Sequence, residues 1–177
     1  KGAVLFSNDK GKTWEILHDF GHPVIYLALH PTNPSILYAS VIDSEEGDIY
    51  VTEDLHNGAF SSWNRLASPP RTEGHPFNIH VLGDGTLVST YSGRIDGTGS
   101  FTESSGVFVS TDGGNSWEDR SDSNMTRWTK DIYISEFTDD WYVGVFSHWG
   151  AFPNEVGGLY RSQDQGMTWE VLGDFYR

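Results

Sequence analysis

The segment 147–157 carries the densest group of side chains that could do chemistry. It contains His148, Trp149 and Glu155 between two strand-like runs. An indole ring can stack on the apolar face of a pyranose, while an imidazole and a carboxylate can hydrogen-bond its hydroxyls. The combination favours sugar binding. The alternative is that Trp149 only covers the ends of the neighbouring strands.

A second long segment, residues 92–105, places Arg94 and Asp96 among glycines. Long loops on a rigid scaffold are where function is usually found. Asp96 and Glu155 are the candidates for a catalytic carboxylate pair of the kind that glycosidases use. The sequence does not fix their separation, so the catalytic assignment stays open.

Shorter segments before two strand-like runs add further candidates for substrate contact. Arg71, Glu73 and His75 precede one run, and Arg127 and Trp128 precede another. These cations and aromatics would extend the same sugar-binding surface. As for Trp149, the alternative is that Trp128 only covers the ends of the neighbouring strands.

The tripeptide Gly-His-Pro occurs twice, at residues 21–23 and 74–76. Two histidines at equivalent places could bind a metal ion, but no third ligand lies at a convincing spacing. The simpler interpretation is that the tripeptide is a loop motif repeated in successive blades, and not a metal site. We therefore expect neither a metal ion nor another cofactor.

The element that must position these loops is a repeated turn motif, Ser-x-Asp-x-Gly-x-Ser/Thr-Trp. Each copy lies between two strand-like runs, which makes it a hairpin turn. The Asp can accept hydrogen bonds from the backbone of its own turn, the Gly allows a positive φ, and the Trp opens the next strand and packs beneath the loop. The motif residues are Ser7, Asp9, Gly11 and Trp14; Ser110, Asp112, Gly114 and Trp117; and Ser162, Asp164, Gly166 and Trp169.

A fourth copy is altered. Thr52 and Asp54 begin it, but the tryptophan comes four residues late, at Trp63. Asn57-Gly58 in the insertion predicts a type I′ turn at the tip, and we expect Asp54 to matter less than the intact copies. The four tryptophans are separated by 49, 54 and 52 residues. A period of this length indicates a radial or solenoid repeat.

On these motifs, the sequence resembles the Asp-box (BNR-repeat) β-propellers found in sialidases, xyloglucan-active endoglucanases and sortilin-type receptors. The resemblance covers nearly the whole chain and implies an all-β fold. The four strands of a propeller blade are lettered A to D from the innermost to the outermost. The resemblance also implies that the Asp box joins strands C and D on the face opposite the ligand site. A secreted or periplasmic location is favoured by this resemblance alone.

The family's catalytic motifs are not matched. Arg71, Arg94 and Arg127 fall on the ligand face and invite comparison with a sialidase arginine triad. The tyrosine–glutamate pair of sialidases and the paired aspartates of the xyloglucan-active enzymes have no counterpart in this sequence. The resemblance therefore predicts the fold more sharply than the activity.

We expect a β-propeller segment of about three and a half four-stranded antiparallel blades with Asp-box C–D turns. A half blade at residues 1–17 precedes three blades at 18–66, 67–120 and 121–177. We expect the third strands of these blades at 48–52, 106–110 and 158–162, and the innermost strand of the second blade at 77–82. Closed propellers have about four to eight blades, so the ends of this segment would expose apolar faces. The remaining blades of a longer chain, or self-association through the open faces, would cover them.

The composition argues against nucleic-acid binding, membrane association and a disulfide-stabilised fold. The chain has 25 Asp and Glu against 11 Lys and Arg, a net charge of −14, so nucleic acid and anionic membranes would be repelled. Cysteine is absent, so there is no disulfide framework. No run of residues is apolar and long enough to cross a membrane.

Three functions remain open. The first is a carbohydrate-directed propeller, part of a glycoside hydrolase or a related glycan-binding protein. The second is a non-catalytic propeller that binds a protein or peptide, and the third is a purely structural repeat segment. Fold alone does not choose among them.

Overall fold

The computed structural model describes residues 2–127, 129–146 and 157–173, and the backbone of 148–149 and 152–153. Its described residues form an all-β chain. The strands are β1 (Ala3–Phe6), β2 (Glu15–Asp19), β3 (Val24–Leu29), β4 (Leu37–Val41), β5 (Asp48–Thr52), β6 (Asn64–Arg65), β7 (His80–Val81), β8 (Leu87–Tyr91), β9 (Gly106–Ser110), β10 (Glu118–Asp119), β11 (Thr129–Ile134), β12 (Trp141–Val145), β13 (His148–Trp149), β14 (Phe152–Pro153), β15 (Gly158–Ser162) and β16 (Glu170–Gly173).

These strands form blades. A two-stranded sheet, β1-β2, comes first, and three four-stranded antiparallel sheets come after it. Their strand orders are β3-β4-β5-β6, β7-β8-β9-β10 and β11-β12-β15-β16, with the hairpin β13-β14 inserted in the last. The predicted fold of three blades and a leading half blade is therefore confirmed. The sheet β1-β2 is the half blade, and the three four-stranded sheets are blades 1, 2 and 3 in chain order.

The predicted third strands of the blades, at 48–52, 106–110 and 158–162, coincide with β5, β9 and β15. The inner strand of blade 2 is shorter than the predicted 77–82. There the side-chain oxygen of Asn78 accepts from the backbone N–H of Thr90 at 3.0 Å. The side chain of Asn78 thus takes the position of a backbone acceptor. Regular pairing of the inner strand with β8 is therefore confined to β7.

The core lies between blades rather than within one sheet. Every residue of β4, β8 and β9 is buried, because neighbouring blades cover both faces of these strands. One cluster, including Ile49, Leu87 and Phe108, joins blades 1 and 2. A second, including Val107 and Trp141, joins blades 2 and 3.

The three intact Asp boxes share one hydrogen-bonded turn. In the middle copy, Asp112 Oδ1 accepts from the N–H of Ser116 at 2.9 Å, and Oδ2 accepts from its hydroxyl at 2.6 Å. Ser110 Oγ donates to Asp112 and accepts from the N–H of Gly114 at 2.8 Å. Gly114 has φ +89°, as the turn requires. The same pattern recurs around Asp9 and Asp164.

The altered copy differs at its tip. Residues Leu55–Phe60 form 3₁₀ turns, and Gly58 has φ +56°. A type I′ turn needs positive φ at both central residues, and Asn57 does not have it, so that prediction is wrong. The hairpin β5-β6 nevertheless forms. Asp54 Oδ1 still accepts from Thr52 Oγ1 at 2.8 Å and from the N–H of Ser62 at 2.9 Å. The carboxylate thus keeps its turn-holding role despite the insertion.

Burial of the motif tryptophans is uneven. Trp117 is only 8% exposed, and Trp169 packs against the core between blades 2 and 3. Trp14 is 60% exposed, so the expectation that every box buries its Trp is wrong for the first copy. The reason is that the preceding blade covers the ring in the other copies, and the described residues contain no blade before the half blade.

Among the described residues, helical structure is confined to the 3₁₀ segments Leu55–Phe60 and Ser123–Met125. Neither has the length and apolar character needed to span a membrane.

Candidate functional site

The connections that carry the candidate residues meet on one face of the blades. The N–H of Asp43, in the loop after β4, donates to the carbonyl of Gly74, in the loop before β7, at 3.1 Å. One blade further on, the N–H of Ser105 donates to the carbonyl of Thr126 at 3.0 Å. We call the surface formed by these connections the loop face. It lies at the strand ends opposite the Asp boxes.

His22 lies between two carboxylates on the loop face. Its Nδ1 is 3.2 Å from Asp43 Oδ2, and its Nε2 is 3.0 Å from Glu46 Oε2. Asp43 Oδ1 also accepts the backbone N–H groups of Glu45 and Glu46, which lower the pKa of Asp43 below its usual value. The carboxylate therefore stays ionised and fixes the orientation of the imidazole.

His75 and Arg94 form the next group. Burial lowers the pKa of His75, and the positive charge of Arg94 lowers it further against the opposing effect of Glu73. His75 is therefore neutral at neutral pH. The guanidinium of Arg94 has no hydrogen bond or ion pair to any described residue, although its backbone N–H is held by Thr102 Oγ1 at 3.0 Å. The backbone of Arg94 is therefore held in place, while its guanidinium is available to a ligand.

Glu73 stabilises the same group through hydrogen bonds to two hydroxyls. Its Oε2 accepts from Thr102 Oγ1 at 2.7 Å and from Ser104 Oγ at 3.2 Å. Thr102 also bonds the backbone of Arg94, so these contacts connect the loop before β7 with residues 92–105. The result is a surface with a cation, a neutral imidazole, hydroxyls and a carboxylate side by side.

Arg71 is already engaged. Its Nε donates to Asp119 Oδ2 at 2.7 Å, and its Nη1 donates to the carbonyls of Glu103 and Ser105. The guanidinium also lies over the ring of Phe108, 5.1 Å from its centroid. These bonds use most of the donors of Arg71, so its role in this structure is to tie its loop to blade 2.

Arg127 is also engaged, although less completely. Its guanidinium donates to the carbonyl of Phe101 and to Glu103 Oε1. The three arginines compared with a sialidase triad therefore have different surroundings, and only Arg94 is without a described partner. The comparison with a sialidase arginine triad stays a hypothesis.

Asp96 holds its own turn. Its Oδ1 accepts from the N–H of Thr98 at 2.8 Å, from the hydroxyl of Thr98 at 2.6 Å and from the N–H of Ser100 at 3.0 Å. These bonds lower the pKa of Asp96. These bonds stabilise the turn and keep the carboxylate ionised, which makes Asp96 a poor general acid at neutral pH. A catalytic role for Asp96 as the ionised member of a carboxylate pair stays a hypothesis.

Several predicted residues lie outside the described part. Trp128 and Glu155 are not among the described residues, and only the backbone of His148 and Trp149 is described. That backbone forms β13, paired with β14. The pairing of Asp96 with Glu155 therefore stays a hypothesis, and the contacts of the two tryptophans stay predictions.

The histidines of the two Gly-His-Pro copies have different surroundings. His22 contacts Asp43 and Glu46, whereas His75 experiences the charges of Arg94 and Glu73 as well as that of Asp43. Within the described ranges, no three His, Asp or Glu side chains are grouped as a metal ion would require. The repeat instead holds neighbouring loops together, since Gly74 accepts the N–H of Asp43.

Sequence reasoning included Glu73 but missed Asp43 and Glu46 as members of this surface. Both lie in a predicted connection, but their type alone did not separate them from solvated acids. One usable signal was that Asp43 and Glu46 follow β4 in the loop facing the first Gly-His-Pro. Pairing each histidine with the acids of the adjacent connection would have found them.

Comparison with known proteins agrees with the motif analysis. The BNR/Asp-box repeat model matches residues 160–171, which contain the third Asp box. No curated protein sequence matches the chain significantly.

Solved structures share the fold over almost the whole chain. An ancestral GH74 enzyme has a TM-score of 0.65 and 19% identity, with 97% of this chain and 21% of that chain covered. Nidogen, in its complex with laminin, has a TM-score of 0.64 and 15% identity, with 98% and 57% covered. A Hadza microbial sialidase has a TM-score of 0.54 and 19% identity, with 97% and 40% covered. The chain spans less than two thirds of each.

The chain therefore has the fold of a β-propeller segment, and its third Asp box matches the BNR/Asp-box repeat. Its structural neighbours include glycoside hydrolases and sialidases as well as a propeller in a protein complex. At these identities the likeness concerns the fold.

Proposed function

We propose that this propeller segment binds carbohydrate on the loop face, with Arg94 and His75 at the centre of the contact. The observation that carries the proposal is the available guanidinium of Arg94 beside a neutral imidazole. A guanidinium presents donors in a fixed planar fork, and a neutral imidazole can donate and accept, so together they suit neighbouring sugar hydroxyls.

The hydrogen bonds around Arg94 favour ligand binding, because they hold its loop in one conformation. Glu73 fixes Thr102, and Thr102 fixes the backbone of Arg94. A rigid polar surface loses little conformational entropy when a ligand binds. Trp149, Trp128 and His148 remain proposed contacts from the adjacent loops, where an indole would supply the stacking platform.

We do not extend the proposal to hydrolysis. Asp96 is committed to its turn, and Arg71 and Arg127 are committed to loop contacts. The described part of the loop face thus offers recognition chemistry.

A glycan array followed by titration calorimetry tests the proposal. Short oligosaccharides should bind with dissociation constants on the order of millimolar to micromolar. Arg94→Ala should weaken binding by about tenfold or more, because it removes charge-assisted hydrogen bonds. Glu136→Gln, on the opposite face, is the matched control and should leave affinity unchanged. The absence of any glycan ligand, or equal loss in both variants, would reject the proposal.

A protein ligand is the second candidate. It is favoured by Phe60 and Phe137, which are 90% and 95% exposed in the turns on the Asp-box side. The neighbour nidogen was solved in complex with laminin. If Phe137→Ser abolished capture of a defined protein partner while glycan binding was absent, this candidate would replace the first.

A further inference from the structure

A cleft lies between blades 2 and 3 on the Asp-box side, where their inner turns approach each other. The inner turn of a blade is the connection between its first and second strands. The cleft has a volume of about 480 Å³. One wall comes from residues 82–84, after β7, and the other from residues 134–136 and Asp139, at the end of β11 and in the turn after it. Both walls belong to adjoining four-stranded blades in the interior of the described chain.

Apolar side chains contribute to both walls of this cleft. Val81 comes from blade 2 and Ile134 from blade 3, and the buried Trp141 also lines the cleft. Each inner turn is closed by backbone hydrogen bonds. The N–H of Leu82 donates to the carbonyl of Thr86 at 2.8 Å, and the N–H of Ser135 donates to the carbonyl of Asp140 at 2.9 Å. The walls are therefore formed before a ligand binds, which lowers the entropic cost of binding.

The charged side chains of the cleft are all acidic. Asp84 comes from blade 2, and Glu136 and Asp139 come from blade 3. No ion pair joins any of these three carboxylates to a described residue. Hydrogen bonds from Thr86 lower the pKa of Asp84, so this group stays ionised. Burial lowers the pKa of His80, which also lines the cleft, so its imidazole is neutral at neutral pH and does not offset the negative charge.

An exposed aromatic ring accompanies these carboxylates. Phe137 follows Glu136 directly in the same turn and is 95% exposed. Its backbone N–H donates to Ser135 Oγ at 3.3 Å, so the turn holds the residue in place. A ring with this exposure adds nothing to the blade core, and aromatic side chains are enriched in protein interfaces. Phe137 therefore indicates a protein partner independently of the charge.

We propose that this cleft binds a basic segment of a partner protein, with a lysine or arginine side chain of the segment in the cleft and an apolar side chain on Phe137. The aliphatic stem of a lysine or arginine packs on apolar walls while its charged end pairs with carboxylates. Charge complementarity selects this occupant, because a neutral or acidic segment would leave three carboxylates without a counter-charge. The cleft lies at the strand ends opposite the loop face, so this proposal goes beyond the carbohydrate site and does not depend on it.

Fluorescence anisotropy with three labelled hexapeptides tests the proposal. Each peptide contains one phenylalanine and either two lysines, two glutamines or two glutamates. The lysine peptide should bind the wild-type chain, and its dissociation constant should rise when NaCl is raised from about 0.05 to 0.5 M. The glutamine and glutamate peptides should bind about tenfold more weakly or worse.

Two double variants separate the cleft from general attraction to an acidic protein. Glu136→Gln with Asp139→Asn should weaken binding of the lysine peptide by about tenfold or more. Asparagine suits position 139, where φ is +58°. Glu45→Gln with Glu53→Gln removes the same charge at exposed positions outside the cleft and should leave the affinity unchanged. Phe137→Ser should also weaken binding, because it removes the apolar contact.

Thermal unfolding checks that the variants are folded, and it should be unchanged because the substituted side chains are exposed. No binding of the lysine peptide, equal binding of the three peptides, equal weakening by the two double variants, or unchanged binding in Phe137→Ser would overturn the proposal. The experiment uses no glycan, so its failure is distinct from a failure of the proposed function.

Discussion

Tyr91→Phe should reveal how strongly a buried polar contact joins blades 1 and 2. Tyr91 is fully buried in blade 2, and its hydroxyl donates to Asp48 Oδ1 of blade 1 at 2.5 Å. Asp48 is 1% exposed, and its Oδ2 accepts from Arg65 at 3.0 Å and from Ser68 at 2.5 Å. Asp48 therefore receives donors on both oxygens, and only one of these donors comes from the neighbouring blade.

The size of the effect follows from this geometry. Phenylalanine keeps the ring and its packing, so the substitution removes only the hydroxyl. A hydrogen bond to a charged group contributes about 1.5–3 kcal/mol. For a chain of this size that corresponds to a fall in Tm of roughly 3–12 °C. Asp48→Ala should cost more, because it removes the ion pair with Arg65 as well and leaves the buried Tyr91 hydroxyl without its acceptor.

Urea unfolding followed by tryptophan fluorescence, at one fixed protein concentration, measures both values. Tyr133→Phe is the matched control, because Tyr133 is 62% exposed. A change below about 0.5 kcal/mol for Tyr91→Phe would refute the reasoning, since it lies within the range of ordinary surface substitutions. An equal loss in Tyr133→Phe would refute it too.

Three further outcomes are expected. Gly114→Ala should destabilise by roughly 1–3 kcal/mol more than Gly11→Ala, because both have positive φ but only Gly114 packs against Leu66; equal urea midpoints for the two would contradict this. Asp112→Ala should lower Tm, and Asp54→Ala should lower it comparably because Asp54 keeps equivalent hydrogen bonds; a neutral Asp54→Ala would instead support the expectation drawn from the sequence. The pKa of Asp9, Asp112 and Asp164 is lowered from 3.8 to about 2 by bonds to the ionised form, so their stabilisation is complete above pH 3.8 and is lost as pH falls towards 2. Urea midpoints measured across that interval should fall, and the fall should be smaller in Asp112→Asn.

Much of the fold was predictable because its signals are local and repeated. The Asp, Gly and Trp of each box have fixed spacing, and the strands on either side are short apolar runs. The inner strand of blade 2 was not predictable, since its interruption depends on Asn78 reaching Thr90 on the neighbouring strand. The tip of the altered box also escaped prediction, because Asn57-Gly58 has two compatible turn geometries and the inserted residues select one.

The candidate site was predictable only in outline. The resemblance placed the correct loops on one face, but residue type alone could not show which arginine was available. Arg71, Arg94 and Arg127 look alike in sequence, and their difference comes from partners far along the chain, such as Asp119 for Arg71. Likewise, the carboxylate of Asp96 is used by neighbouring residues in its own turn. Such competition for hydrogen-bond partners depends on three-dimensional packing.

Hydrogen–deuterium exchange with the best glycan from the array would locate the ligand on the molecule. Added glycan should slow exchange in residues 71–76 and 92–105, while the Asp boxes at 110–117 and 162–169 should be unchanged. Protection confined to the Asp boxes, with no change around Arg94, would contradict the assignment of the loop face as the carbohydrate site.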